Sequence, residues 1–146
     1  MFGYLSTEEI QAVIQAPPST RVGQRDHMLL QMLYNTGARV SEITRVKVGD
    51  IVLDEHAACV HLHGKGRKQR SVPLWRSTVK TIRAWLKRNP HLDAGSPLLP
   101  NRNGQTMTRT NVSLRLAAAV QVASEIYPAL ASRTISPHTR AIIRSP

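Results

Sequence analysis

The stretch Ile51-Val52-Leu53, Cys59-Val60-His61-Leu62-His63 and Gly64-Lys65-Gly66-Arg67-Lys68-Gln69-Arg70-Ser71-Val72-Pro73-Leu74 is where the apolar spacing changes. Val60, Leu62, Val72 and Leu74 recur every second residue, the period of a half-buried strand, and Gly64 and Gly66 supply the freedom that a tight turn needs. This pattern predicts three short strands, near 51–53, 58–63 and 69–74, paired antiparallel with Lys65 at a hairpin tip. On both sides of it the spacing is helical. Ser6 and Glu9 read as a capping box before Ile10, Val13 and Ile14, and Pro17-Pro18 stops that helix. A second helix is expected from about Arg25 to Asn35, closed by Gly37 in the left-handed conformation, with Ser41 capping a short third helix. Trp75 to Arg88 predicts a helix burying Trp75, Val79, Ile82 and Leu86, with Trp85 left open. After a loop over Asp93–Gly104, a last alanine-rich helix should start at Thr110 or Asn111 and run toward Tyr127. The fold class is α+β, mostly helical, with one small three-stranded antiparallel sheet.

The 146 residues suit one domain, and 41% apolar residues exclude a disordered basic tail. The single cysteine, Cys59, excludes an intrachain disulfide framework and fits a reducing, cytoplasmic setting. No apolar run approaches the ~20 residues of a membrane span. Net charge is +11, unevenly placed. Residues 1–55 hold seven acids and five bases, whereas residues 56–146 hold fifteen bases against Asp93 and Glu125 alone. From His56 to Leu92 nine bases occur with no acid, a one-signed field that attracts polyanions, nucleic acid first among them. The alternative is a solvated helix face beside a basic hairpin.

Two segments bear on chemistry. In Asn35-Thr36-Gly37-Ala38-Arg39-Val40-Ser41-Glu42 an arginine follows a glycine helix stop and precedes a helix start, a place that suits bidentate binding of phosphate oxygens. In Gly64-Lys65-Gly66 a lysine sits between two glycines, so it can be brought close to a ligand. Cys59, His61 and His63 alternate and share one strand face, which raises a soft metal site against the simpler reading of a partly exposed strand. Trp75 and Trp85 are candidates for stacking on bases.

Taken together and in this order, TGARVSE after an apolar helix and GKGRKQRSVPL in the last hairpin resemble the catalytic domain of tyrosine recombinases, the phage integrase family. Ser136-Pro137-His138-Thr139 is similar to the start of its H-x-x-R box. The resemblance implies that Arg39 neutralises the non-bridging oxygens of the scissile phosphate, that Lys65 protonates the leaving 5′-oxygen, and that His138 is the histidine of the third box. Arg67, Lys68 and Arg70, with the Arg76–Lys87 helix face, would contact duplex DNA. A phosphotyrosyl intermediate stores the bond energy, so no cofactor and no metal are implied. The intact family assembles as homo-oligomers on DNA; a monomer is expected of a fragment. The departures are equally specific. Ala141 stands where the box needs arginine, Arg140 is one place early, and Tyr4, Tyr34 and Tyr127 all precede His138. Residues 1–146 therefore read as a C-terminally truncated catalytic domain, without the N-terminal clamping domain and without the tyrosine segment. The expected function is DNA binding by a recombinase fragment that does not cleave alone; the alternative is a non-catalytic basic binding module or an inactive remnant.

Overall fold

The computed structural model describes residues 5–66 and 68–132. Arg67, His138 and the segment from Arg140 onward lie outside the described residues, so the roles expected of Arg67 and His138 have no structural counterpart here.

Five α-helices are described: α1 (Thr7–Gln15), α2 (Arg21–Thr36), α3 (Val40–Thr44), α4 (Arg76–Arg88) and α5 (Arg109–Ala123). They surround one antiparallel sheet in the order β1 (Ile51–Val52), β2 (Cys59–His63), β3 (Gln69–Pro73). The capping box at Ser6 and Glu9 forms, and Gly37 ends α2 at φ 64°. The strands fall where period two predicts them, with Val60 opposite Val72 and Leu62 opposite Arg70. Because directly paired residues share a face, Val60 and Leu62 turn inward onto α3, and Arg70 lies on that same side. Among the described residues no helix is long and apolar enough to cross a membrane.

Three expectations are corrected. Helix α2 starts at Arg21, not Arg25, because Thr20 caps it by accepting from the Gly23 N–H at 3.0 Å. Helix α3 starts at Val40 with Arg39 as its N-cap, so Ser41 lies inside the helix rather than capping it. Trp85 is fully buried and Trp75 half-buried, the reverse of the expected pair. Trp75 is the N-cap of α4 rather than part of it, and the face turned to α2 carries Thr78, Ile82 and Trp85. The polar Thr78 can be buried there because the Gln31 amide donates to its hydroxyl at 3.3 Å. Trp85 is thereby withdrawn from any base-stacking role; the Arg21 guanidinium covers its ring at 5.4 Å, and its indole N–H has no hydrogen-bond partner.

The helical part is tied together by one buried carboxylate. Asp26, 1% exposed, accepts from Arg25 through Oδ1 at 2.8 Å and from Arg115 through Oδ2 at 2.6 Å. Arg25 also donates to the Pro100 carbonyl at 3.0 Å, so α2, α5 and the loop before α5 meet at the adjacent pair Arg25 and Asp26. Removing one partner of a buried ion pair costs about 3–5 kcal/mol, because the remaining charge stays desolvated. Asp26→Ala should lower the unfolding free energy at the bottom of that range, since Arg115 is 38% exposed and can recover some water. Urea unfolding followed by circular dichroism checks this, and a loss under about 1 kcal/mol would contradict it.

Candidate phosphate-binding site

The site is built around Glu42, in the first turn of α3. Its Oε1 accepts from the Arg39 backbone N–H at 3.1 Å and from Arg70 Nη2 at 3.2 Å; its Oε2 takes Arg70 Nε at 3.4 Å. A Cβ placed on Gly64 would lie 3.8 Å from the same Oε2. One carboxylate therefore joins the segment after α2 to the β2–β3 hairpin, although the two are far apart in sequence. Glu42 sits near this face because the Leu33 carbonyl closes on the Gly37 N–H at 3.0 Å, and Gly37 then reverses the chain into α3. Arg70 reaches it because its strand position shares the inward face with Leu62.

Of the residues that the sequence singles out, Arg39 and Lys65 are both exposed. Among the described residues neither side chain has an ion pair or hydrogen bond, so both cations remain available to an anion. It is the backbone of Arg39, not its guanidinium, that engages Glu42. The one-turn helix α3 is too short to make an anion site by itself, so attraction there comes from the side-chain charges. Lys65 stands in the turn closed by the Gly64 N–H donating to the Lys68 carbonyl at 2.8 Å, with Gly66 at φ 75°. A positive φ costs an L-residue ~1–2 kcal/mol, which explains glycine at position 66. Lys68 is exposed and open; Arg70 is 52% exposed but committed to Glu42. Arg70 is thus a brace between the two segments, a role its place in the basic run did not disclose.

Partial burial pushes the Glu42 carboxyl up. The Arg70 hydrogen bond, the Arg39 N–H and the charges of both arginines outweigh this and hold it below the ordinary carboxylate value. The strand face of Cys59, His61 and His63 engages its histidines in separate pairs. His61 Nδ1 lies 2.8 Å from Ser71 Oγ, and His63 Nε2 lies 3.0 Å from Asp50 Oδ1. Among the described residues no three His, Cys, Asp or Glu side chains converge on a point that could hold a metal ion. Tyr34 is buried edge-on to Trp75 with ring centroids 5.3 Å apart, and burial raises its hydroxyl pKa.

Comparison with known proteins gives the family and the fold. The profile of the Phage integrase family matches residues 3–140. The tyrosine recombinase XerC of Neisseria meningitidis is 41% identical over 93 residues, 64% of this chain and 30% of that protein. XerC of Neisseria gonorrhoeae is 37% identical over 115 residues, covering 78% of this chain and 35% of that one. The crystal structure of XerA recombinase superposes with a TM-score of 0.73 over 93% of this chain and 46% of that chain, at 21% identity, a likeness of fold. The chain spans less than half the length of the curated relatives it matches.

Since the Glu42 pKa is depressed in the fold, the carboxylate stabilises it at pH values above its unfolded pKa. That contribution is lost as pH falls through the lower folded value. Glu42→Gln should therefore cost about 0.2–1 kcal/mol near pH 7, the range of a half-exposed pair. The gap to the parent protein should close on acidification, as thermal melts of both proteins from pH 7 to pH 3 would show. A gap independent of pH would mean that the carboxylate charge is not what braces the hairpin. From the apolar helix ending at Gly37, through the Arg39 segment, to the hairpin that carries Lys65, the chain belongs to the phage integrase family, the tyrosine recombinases.

Proposed function

We propose that this chain is the phosphate-gripping part of a site-specific DNA recombinase. The observation that carries the reading is the pair of open cations, Arg39 and Lys65, on two segments joined through Glu42. In a strand-transfer reaction a phosphodiester must lose negative repulsion before an oxygen attacks it. Arg39 presents a planar fork that can bind two non-bridging oxygens, and Lys65 presents a compact proton donor on a movable stem. Arg39 therefore neutralises the scissile phosphate while Lys65 gives a proton to the departing 5′-oxygen. Fixed cations of this kind act most strongly when they are already in place as charge develops, and each commonly contributes ~10²–10³ in rate. His138, in the third box, is the further candidate at this phosphate. Lys68 and Arg67 extend the contact along the duplex backbone, and Arg70 holds the hairpin in position.

Residues 1–146 function in this reading as a partial catalytic domain. Attack requires a hydroxyl at the phosphorus, and the tyrosines among the described residues do not match the family's nucleophile: Tyr34 is buried against Trp75, and Tyr127 follows α5 upstream of His138. Ala141 also stands where the box calls for a second arginine. The chain alone binds DNA without cutting it.

Two measurements test this. Duplex binding should weaken steeply with salt, each neutralised phosphate contributing ~0.9 to the log–log slope, and Lys65→Ala with Lys68→Ala should reduce that slope by roughly 1.8. On a nicked duplex that traps covalent intermediates, the 146-residue chain should form no protein–DNA adduct. An adduct abolished by Tyr127→Phe would overturn the non-cleaving part, and salt-independent binding would overturn the whole reading.

A further inference from the structure

A second basic surface lies on α4, away from the buried side of that helix. Arg76, Lys80, Arg83 and Lys87 recur at i, i+4, i+7 and i+11, which at ~100° per residue confines them to one stripe about 60° wide. Thr78, Ile82, Trp85 and Asn89, all buried, occupy the opposite side. At ~1.5 Å per residue the stripe is about 16 Å long. All four cations are exposed. Arg83 Nη2 donates to the Leu53 carbonyl at 2.8 Å, whereas Arg76, Lys80 and Lys87 have no ion pair or hydrogen bond among the described residues.

The stripe does not adjoin the Arg39–Lys65 site. Arg76, Lys80 and Arg83 form one wall of a groove of about 1330 Å³ whose other wall is the β1–β2 turn, with Cys59 and Pro73 in its lining. Cys59 and Pro73 are the ladder pair farthest from the hairpin turn, and His63 and Gln69 the nearest. Four residues of strand, ~13 Å, separate the two ends. Asp54 and Glu55 lie on the groove's far wall, so a polyanion is repelled there and runs along α4 instead.

We propose that the α4 stripe binds the phosphate backbone of a second DNA duplex, separate from the one held at Arg39 and Lys65. The proposal rests on the DNA-binding reading above. A row of like charges without an apolar side chain between them matches a continuous polyanion, and a duplex presents one charge per ~1.7 Å of its axis. An acidic protein segment would set its apolar anchors in the groove, on Leu53, Leu74 and Val79, which puts it against Asp54 and Glu55 on the far wall. Contacts of this sort read no bases, so the second duplex is held irrespective of sequence.

The test counts short duplexes bound per chain, by sedimentation of the purified chain with a labelled 12-base-pair duplex at low salt. Two per chain are expected, falling to one in Arg76→Ala/Lys80→Ala/Lys87→Ala. In that variant the remaining duplex should keep the parent affinity and salt slope, while Lys65→Ala/Lys68→Ala should weaken the other site. An unchanged melting curve verifies that these exposed substitutions leave the fold intact. Two duplexes retained by the α4 variant would overturn the proposal. One duplex per parent chain, insensitive to the α4 substitutions, would also overturn it and leave the hairpin reading standing. One duplex weakened by both sets would mean a single continuous track and equally overturn it. No duplex bound at all would remove both readings.

Discussion

The carboxylate of Glu42 meets the Arg39 backbone and the Arg70 guanidinium at once, and the geometry of the candidate site follows from that meeting. Without it the hairpin would be held to the helices by the inward face of β2, where Val60 and Leu62 pack on α3, and by Asn35 at the far end of β3, with nothing near the turn. Packing fixes the plane of a sheet but only loosely fixes the swing of a turn beyond the last pair of the ladder. The ion pair acts next to that turn, beside Gly64, and so limits where Lys65 can travel. It does this with an acid placed among bases. Glu42 takes Arg70 into an ion pair and feels the Arg39 charge without bonding its guanidinium, which leaves the hydrogen-bond donors of Arg39 and Lys65 open among the described residues. A long basic run is thereby divided into cations that build and cations that can receive an anion.

The same economy appears in the helical half. Asp26 holds two arginines from different elements, and the remaining donor of Arg25 is used by the Pro100 carbonyl. A buried guanidinium whose three nitrogens each donate a bond orients its neighbours more sharply than apolar packing does, because its fork is rigid and its bonds are directional. The antiparallel contact of α2 with α4 is specified likewise: Gln31 meets Ser77 and Thr78, Asn35 meets Pro73 and Trp75, and Arg21 meets Asn89. The sheet is thus locked at its α4 end by Asn35 and at its hairpin end by Glu42, both from the region around the end of α2.

Much of this could be read from the chain. Gly37 declared the end of α2, since glycine takes the left-handed conformation that ends many helices at no steric cost, and alternation at Val60, Leu62 and Val72 placed the strands. Arg39 and Lys65 could be picked out as a pair only through the family pattern, because the link between their segments, made by Glu42, depends on the path of the whole domain. The failures share a cause. Ser41 is a better N-cap than Arg39 by side-chain chemistry, yet Glu42 reaching back satisfies the Arg39 N–H and lets the helix begin earlier. Trp75 is more apolar than Thr78, yet Thr78 is the buried residue, because a partner on α2 hydrogen-bonds it. The ion pair of Arg70 with Glu42 could not be read from its basic run, because the partner lies 28 positions away. In each case a polar contact made on folding overruled a local preference, over three residues for Glu42 and Arg39, over 47 for Gln31 and Thr78, and over 28 for Arg70 and Glu42; the two long-range ones leave no periodic trace in the sequence.

The burial of Trp85 gives the molecule an internal optical gauge. Its indole is fully sequestered, with no hydrogen-bond partner and a guanidinium over its face, while Trp75 at the other end of α4 is half-buried against Tyr34. Emission from the first must be blue, since no water can relax around the excited ring; emission from the second is redder and open to quenching from outside. The two chromophores bracket a single helix, the one that joins the sheet to the helical core. A separation of α4 from α2 would shift the first signal to the red. A disturbance confined to the end of β3 would register in the second alone.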